Sequence, residues 1–350
     1  MREVCTIGLD IAKNVFQVQG VDRYGSQLFN KKISRSGIKA FFANTPPCLV
    51  GIEACGGAHY WARELQAMGH TVKLIAPHIV KPFVMRNKTD AADARAICEV
   101  VRRPGTKFVS VKTEEQQNLT ALHCIRERLV AIRTALVNQT RGLLYERGII
   151  FRQGIPAFEK GIKEFLEKES NSGIFMDMLQ EQWKEYVSLN ERIKELTERL
   201  KDKATSDATC QRLMKIPGVG PLTATAVVGK IGKAQEFKNG RQFAAYLGLT
   251  PREHSSGGKQ RLLGISKQGD TYLRKLLIQG ARVVCMVWNA GERVPEGDRR
   301  KLWLREITLR RGKYCASVAQ ANKTARILWN VLAKDEEYDA LKNGNKVETR

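Results

Sequence analysis

The sequence predicts an α/β domain followed by a longer, mainly helical region. Residues 3–33 consist of short β-type runs separated by turn residues, and two later apolar runs, at residues 46–54 and 71–76, alternate with helical patterns. After about residue 113, apolar residues recur every three or four positions, which is the spacing of one helix face. We therefore expect an N-terminal sheet with flanking helices, followed by helices with few strands.

The elements of the N-terminal domain are predicted in the order βββαβαβα. Tyr24 and Gly25 supply a turn, so the first three strands form an antiparallel meander. A helix over residues 36–44 precedes the first buried strand, and a helix follows each buried strand. The last of these helices carries Asp90 and Asp93. The three meander strands are EVCTIGLD, VFQVQGVD and SQLFNKKIS.

Two apolar seams mark the middle of the chain. They are separated by ERGIIFRQGIP, whose glycines and proline break a helix. The spacing predicts either an antiparallel helical hairpin or an oligomerising coiled coil, and both interpretations remain open. The seams are Leu122, Ile125, Leu129, Ile132 and Leu136, and then Leu189, Ile193, Leu196 and Leu200.

A third region begins at about residue 206. The segment Pro217-Gly218-Val219-Gly220 interrupts two helical patterns and resembles a helix-hairpin-helix. Its backbone amides can approach a phosphate, or the turn can pack within the protein. The predicted divisions are residues 1–112 for the α/β domain, 113–205 for the coiled-coil region, 206–335 for the C-terminal domain and 336–350 for a polar tail.

The charge of the chain favours a polyanionic partner. There are 59 Lys and Arg against 36 Asp and Glu, a formal net charge of +23, and the pI is near 9.8. Nucleic acid is the first candidate. With no apolar run near the roughly 20 residues of a membrane span and no secretory segment, we expect a cytoplasmic protein whose eight cysteines are buried thiols.

Four acids are candidates for one metal site. Asp90 and Asp93 share a helix face, where like charges repel unless a cation lies between them, although Thr89 and a helix start also explain them. Asp10 and Glu53 each end a β run, so their side chains can reach the lip of a sheet. Oxygen ligands without His or Cys suit Mg²⁺, with Mn²⁺ as the alternative.

A second candidate site is the segment LGLTPREHSSGGKQRLLGISKQGDTYLRKLL. It contains Ser255 and Ser256, followed by Gly257 and Gly258, among basic residues. A serine can attack a phosphodiester if cations stabilise the developing charge, but spacing alone favours a phosphate-binding loop. The predicted nucleic-acid contacts are Lys88, Arg95, Arg252, Lys259, Arg261, Lys267 and Arg274.

The ordered motifs are similar to those of the insertion sequence 110 family of transposases over about residues 4–335. They are GLD, IEACG, NKTDAADAR, IPGVG, QFAAYLGLTPREHSSG and SKQGDTYLRKLL. GLD, GIEACG and KTDAADAR also resemble the ribonuclease H-like fold of Holliday-junction resolvases. The resemblance implies a D-E-D-D metal set at Asp10, Glu53, Asp90 and Asp93 in that N-terminal domain, and a nucleophile at Ser256.

The resemblance also implies a non-coding guide RNA that pairs with donor and target DNA. Two features qualify the match: Cys55 stands where relatives often carry a small hydroxyl residue, and Ser255 adjoins Ser256. The expected function is a DNA recombinase acting as a dimer or tetramer. The alternatives are a junction-resolving metal nuclease, a non-catalytic nucleic-acid-binding scaffold and, ranked last, a sugar-kinase-like ATPase.

Overall fold

The computed structural model describes residues 3–84, 89–168, 173–289 and 299–339. The chain forms two compact units, Met1–Glu114 and Glu115–Arg350. The first is mixed α/β and the second is mostly helical, as predicted. The finer division of the second unit near residue 205 stays a prediction. None of the described helices combines the length and the apolar character that a membrane span requires.

The first unit is built on a six-stranded sheet. Its elements are β1 Thr6–Asp10, β2 Val15–Val21, β3 Gln27–Ser34, α1 Ile38–Ala43, β4 Leu49–Glu53, α2 Ala58–Ala67, β5 Thr71–Ile75, α3 Pro77–Val80, the 3₁₀ turn Lys81–Phe83, α4 Asp90–Arg102 and β6 Phe108–Val109. The strands lie in the order β3-β2-β1-β4-β5-β6. The pairs β1–β2, β2–β3 and β5–β6 are antiparallel, whereas β1–β4 and β4–β5 are parallel. The predicted order βββαβαβα is confirmed, and α3, the 3₁₀ turn and β6 are additional.

The two faces of this sheet bury different helices. Ile7 and Leu9 of β1 belong to a core cluster that includes Trp61 and Leu65 of α2. The alternate residue Gly8 faces α4, and a Cβ there would lie 2.2 Å from the Ala94 carbonyl oxygen. Because that distance is far below van der Waals contact, glycine is required for α4 to lie directly on β1.

The central helices pack as an antiparallel pair within the chain. Arg126 Nε donates to Thr197 Oγ1 at 2.7 Å, and one Arg133 guanidinium nitrogen donates to Asn190 Oδ1 at 2.7 Å. From Arg126 to Arg133 the first helix advances along the sequence, whereas the partner residues go back from Thr197 to Asn190 on the second helix. The two helices are therefore antiparallel. Buried side chains from both helices share one core cluster, so the hairpin alternative describes the fold of the chain. The helices are α5 Glu114–Tyr145, α6 Ile155–Lys168 and α7 Ile174–Ser206.

The rest of the second unit is a helical bundle with one β-hairpin. Its elements are α8 Ala208–Met214, α9 Pro221–Ile231, α10 Gly240–Tyr246, β7 Pro251–Glu253, β8 Leu262–Ile265, α11 Thr271–Asn289 and α12 Arg299–Ala333, which is interrupted at Gly312. The hairpin was not expected in a region predicted to be helical. Its strands are three and four residues long, too short for a recognisable alternating pattern.

One residue of the predicted α5 seam is exposed. Ile125 is 40% exposed, whereas Leu129 is buried. The first half of α5 instead buries Leu119 and His123, and the Leu119 Cβ lies 3.0 Å from where a Cβ on Gly229 of α9 would stand. Because the partner of α5 changes from α9 to α7 along its length, the buried face rotates and Ile125 leaves the seam.

The thiols are less buried than predicted. Cys48, Cys98, Cys210 and Cys285 are buried, but Cys5, Cys55, Cys124 and Cys315 are exposed, and all eight are free. Burial raises the pKa of Cys48 and of Cys98 to about 11, so these two thiols stay protonated at neutral pH.

The turn between α8 and α9 packs within the protein at Gly218. Gly218 has φ +86°, and its carbonyl oxygen lies 1.9 Å from the position that a Cβ on Gly280 of α11 would occupy. The two backbones therefore touch, and each position excludes a side chain. This contact favours the packing alternative at Gly218, whereas Gly220 is exposed.

Gly280→Ala is expected to lower the free energy of unfolding by about 1–3 kcal/mol, because the new methyl group meets backbone that cannot rotate away. Gly142→Ala, at an exposed position in the last turn of α5 with no atom within 4 Å, is the matched control and is expected to stabilise by up to about 0.5–1 kcal/mol. Thermal and urea unfolding of both variants measure this. Equal effects of the two substitutions would contradict the close contact.

A buried histidine joins α5 to α9 and α11. His123 is 1% exposed; its Nδ1 lies 2.9 Å from Tyr272 Oη and its Nε2 lies 3.0 Å from Thr225 Oγ1. The Thr225 hydroxyl donates to the Pro221 carbonyl at 2.8 Å, so it accepts from Nε2–H. Nδ1 then accepts from the tyrosine, and the neutral imidazole satisfies both partners.

Acid is expected to destabilise the second unit through His123. Burial, with smaller effects of Arg126 and Lys230, lowers the pKa of His123 to about 4 from 6.5. The unfolded chain binds the extra proton between these values, so stability falls as pH drops from about 6.5 to 4, by about 3 kcal/mol in total. Unfolding measured across this range should lose most of that slope in His123→Gln and keep it in the control His254→Gln, where the histidine is exposed.

Candidate functional site

Two of the predicted acids lie at one edge of the sheet. Asp10 is the last residue of β1 and Glu53 the last of β4, and these parallel strands pair with Leu9 opposite Ile52. Parallel neighbours end at the same edge, so the two half-buried carboxylates project from adjacent strand ends. The strand order decides this arrangement, because 42 residues of sequence separate Asp10 from Glu53.

The register of α4 on the sheet directs its first turn to the same edge. The Cys98 thiol lies 3.9 Å from the Thr6 carbonyl, and Ala94 lies over Gly8, so α4 runs antiparallel to β1. Asp10 is two residues beyond Gly8 on β1, and Asp90 is four residues before Ala94 on α4. Each of these steps covers roughly 6 Å. Asp10 and the N-terminal turn of α4 are therefore at the same level.

Thr89 caps this helix and places both aspartates in the first turn. Its hydroxyl accepts from the Ala92 N–H at 3.2 Å, and Asp90 and Asp93 follow in the turn that the cap defines. Asp90 is exposed and Asp93 is half-buried. Both readings of the pair thus hold at once: the aspartates occupy a capped helix start, and that helix start lies at the acidic edge of the sheet.

The chemistry of this edge fits a hard divalent cation, although its acids are not in coordinating geometry. Among the described residues, no three His, Cys, Asp or Glu side chains are grouped closely enough to hold a metal. The available donors are carboxylate oxygens, together with the buried amide oxygen of Gln17, which has no hydrogen-bond partner in the described part of the chain. Such a donor set suits Mg²⁺ or Mn²⁺.

Cys55 belongs to the same surroundings. The pKa of its thiol is raised first by partial desolvation of the sulfur, and then by the negative charges of Glu53 and Asp10. The two carboxylates thus act on one neighbouring group, as expected for adjacent strand ends.

The candidate serine lies in the tight loop of the hairpin β7–β8. Ser256 pairs with Lys259, whose N–H donates to the Ser256 carbonyl at 3.1 Å, and the central residues Gly257 and Gly258 have φ +56° and +76°. Two positive φ values at these positions are typical of a type I′ hairpin turn. Ser256 therefore occupies a defined position on an exposed hairpin rather than an irregular Ser-Gly loop.

The two serines have different surroundings. Ser255 Oγ donates to Glu253 Oε1 at 2.6 Å and accepts from the Arg261 N–H at 3.3 Å. The Ser256 hydroxyl has no hydrogen-bond partner within residues 3–84, 89–168, 173–289 and 299–339. Ser255 is thus part of the hairpin's own network, and Ser256 offers an exposed hydroxyl to a ligand.

The predicted basic residues fall into three groups. Arg95, Arg252, Lys259, Arg261 and Lys267 are exposed and can reach a phosphate. Lys88 lies outside the described residues. Arg274 is a correction: it is 7% exposed, and one guanidinium nitrogen donates to the Leu247 and Gln268 carbonyls at 3.0 and 2.6 Å. Because these bonds hold the Arg274 guanidinium against loop carbonyls, the structure does not support a contact between Arg274 and nucleic acid.

Two family models match most of the chain. A transposase model of the DEDD type of IS110 matches residues 7–149, and the model "Transposase IS116/IS110/IS902 family" matches residues 210–294. The chain belongs to the IS110 family of transposases. It is therefore a DNA recombinase, and its acidic edge and serine hairpin lie in the two matched parts.

Curated relatives are similar over nearly the full length of the transposase. A "Probable family 20 transposase" of Pseudomonas aeruginosa is 46% identical over 95% of the chain and 98% of the relative. The transposase for insertion sequence element IS1111A of Coxiella burnetii is 42% identical over 97% and 92%. The transposase for IS1328 of Yersinia enterocolitica is 40% identical over 95% and 97%. An insertion-sequence transposase acts on DNA, and transposase domains of the DEDD type typically depend on a divalent metal.

Sequence reasoning missed three polar residues around these sites. Glu253 contacts the serine hairpin, and the Gly-Gly pair of SSGGK, a hairpin-turn signal, could have indicated that hairpin. Gln17 and Asn30 lie beside the acidic edge. Only the register of β1, β2 and β3 reveals them, because Gln17 alternates with apolar residues in an ordinary strand pattern.

Proposed function

We propose that this transposase cleaves and rejoins DNA through a covalent phosphoserine on Ser256. The observation that carries the proposal is the exposed Ser256 hydroxyl at the tip of a tight hairpin, beside Lys259 and Arg261. Attack by Oγ replaces one P–O bond to a DNA oxygen with one P–O bond to serine. The released DNA oxygen takes up a proton and leaves as a hydroxyl, and attack by a new DNA hydroxyl reverses the exchange.

The hairpin supplies what this exchange needs from the protein. The guanidinium of Arg261 and the ammonium of Lys259, both exposed on the same hairpin, would stabilise charge on the phosphoryl oxygens. The bond from Ser255 to Glu253 stiffens the loop, so the Ser256 hydroxyl is presented in a constrained position. Ser255 is the alternative nucleophile, because Glu253 is within reach to accept its proton.

The acidic edge is proposed as a Mg²⁺ site, with Mn²⁺ as the alternative, held by Asp10, Glu53, Asp90 and Asp93. The sheet order β3-β2-β1-β4-β5 with β2 antiparallel supports a ribonuclease H-like domain for these acids. A bound divalent cation neutralises charge on a reacting phosphate. The four carboxylates would hold that cation and orient the phosphodiester for Ser256.

The partners proposed for the reaction are donor and target DNA, a guide RNA and further copies of the chain. The excess of basic residues supports binding of nucleic acid backbone. A dimer or tetramer would join the acidic site and Ser256 on one DNA strand. The seam of α5 and α7 is filled within the chain, so copies would assemble through other surfaces.

A metal nuclease without a covalent intermediate is the second candidate. Within the described residues, no group that could take the proton of the Ser256 hydroxyl is hydrogen-bonded to it, and this observation favours the nuclease. The deciding experiment incubates the purified protein with Mg²⁺, its element-end RNA and a nicked suicide DNA, and resolves the products on a denaturing gel. A Mg²⁺-dependent protein–DNA adduct supports the phosphoserine. Cut DNA without an adduct supports the nuclease.

A further inference from the structure

Two buried glutamines line the face of the sheet that α4 covers. Gln17 and Gln19 of β2 are 5% and 2% exposed, and both side-chain oxygens have no hydrogen-bond partner among the described residues. The intervening Val18 belongs to the core cluster on the opposite face. In the antiparallel register with β1, Gln17 stands opposite Asp10 and Gln19 stands opposite Gly8. Only Gln17 is thus a direct neighbour of an acid.

A hydrogen-bond chain fixes which way the Gln17 amide points. Asn30 of β3 donates its Nδ2 to the Ala91 carbonyl in the first turn of α4 at 3.2 Å. A carbonyl only accepts, so the other end of the Asn30 amide, Oδ1, is left to face Gln17. Gln17 Nε2 donates to Oδ1. Gln17 Oε1 is therefore the free end of the chain, buried beside Asp10.

We infer that Gln17 Oε1 is a further oxygen of the acidic cation site, accepting a hydrogen bond from the hydration shell of a divalent cation. The inference rests on the proposed cation site. Mg²⁺ and Mn²⁺ keep several waters when they bind to carboxylates, and each of these waters needs an acceptor. A neutral amide oxygen meets that need without adding repulsion to Asp10, Glu53, Asp90 and Asp93.

Asn30 has a second role in the same site. Its two bonds tie the first turn of α4, which carries Asp90 and Asp93, to the strand that faces Asp10. The carboxylates that come from the helix and from the sheet are thereby held in one register. Asn30 is a positioning residue for the cation site, and Gln17 is the group that faces it.

The test measures Mn²⁺ binding to the full-length protein without nucleic acid. Binding is quantified from the decrease in the electron paramagnetic resonance signal of free Mn²⁺. Gln17→Met removes the oxygen and keeps the side-chain length. Gln19→Met is the matched control, since it lies on the same strand and face with the same burial but opposite Gly8. We expect Gln17→Met to raise the Mn²⁺ dissociation constant roughly tenfold and Gln19→Met to leave it unchanged.

Wild-type affinity in Gln17→Met, or equal weakening in both variants, would overturn the inference. Asn30→Ala, at a half-buried position, provides a second variant if Gln17→Met does not fold. It is expected to weaken Mn²⁺ binding by a similar factor, and unchanged binding would also contradict the inference. Asp10→Asn distinguishes the proposed cation site from the role of Gln17 in it. If Asp10→Asn leaves Mn²⁺ binding intact, the cation site itself is rejected. If Asp10→Asn weakens Mn²⁺ binding and Gln17→Met does not, only the role of Gln17 is rejected.

Discussion

Ser256→Ala is expected to eliminate the covalent protein–DNA adduct and to slow strand exchange by at least about 10³-fold, because no other described hydroxyl on the tight turn is exposed without a partner. The measurement is the suicide-substrate assay, with the adduct quantified on a denaturing gel. The fold of the variant should be unchanged, since the Ser256 side chain makes no bond within the described residues.

Ser255→Ala is the matched control for that result. It removes the bonds to Glu253 and to the Arg261 backbone, so it should loosen the hairpin and reduce adduct formation moderately, by about tenfold or less. Loss of the adduct in Ser255→Ala with retention in Ser256→Ala would transfer the nucleophile to Ser255, with Glu253 as its base. Cleavage that persists without adduct in both variants would reject the phosphoserine.

Asp10→Asn is expected to reduce both adduct formation and strand exchange by about 10³-fold, equivalent to about 4 kcal/mol of lost transition-state stabilisation. Asparagine keeps the shape of the side chain but removes one negative charge from the edge that Glu53 shares. Thermal unfolding of the variant serves to check that it remains folded. The rates are measured over a Mg²⁺ titration.

Glu99→Gln is the control for the acid substitution. Glu99 lies on α4, but it is exposed and two turns beyond the first-turn aspartates, so its charge is expected to be unimportant for the reaction. Full activity of Asp10→Asn at saturating Mg²⁺ would contradict a role for the acidic edge. Equal losses in both variants would indicate a general effect of charge on DNA binding instead.

The sequence pattern was sufficient to predict local structure where one physical signal dominates. The apolar runs of β1 and β4 predicted buried strands that end at Asp10 and Glu53, and the structure places both residues at the last strand position. The cap at Thr89 was likewise visible as a polar residue before a helical pattern. These features depend on neighbours in sequence, so a local reading was enough.

Packing and strand pairing in the folded chain changed three predictions. Ile125 fits a heptad, but the partner of α5 changes from α9 to α7 and leaves it exposed. Arg274 looked like a phosphate contact, but loop carbonyls take its guanidinium. The SSGG segment resembled a flexible loop, but pairing of Ser256 with Lys259 makes it a hairpin turn. In the first two cases a contact with residues distant in sequence determined the outcome, whereas the hairpin turn is a local contact between residues three apart.

Periodicity, composition and motifs were enough to predict the order βββαβαβα of the first unit, the mainly helical second unit and the candidate acids and serines. The residues that surround these candidates depend on the fold. Gln17 lies opposite Asp10 because of the β1–β2 register, and Asn30 reaches Ala91 across 61 residues of chain. The orientation of the Gln17 amide follows from its bond to Asn30, whose other end donates to the Ala91 carbonyl, a group that can only accept. These contacts depend on strand pairing and helix position rather than on residues that are adjacent in sequence.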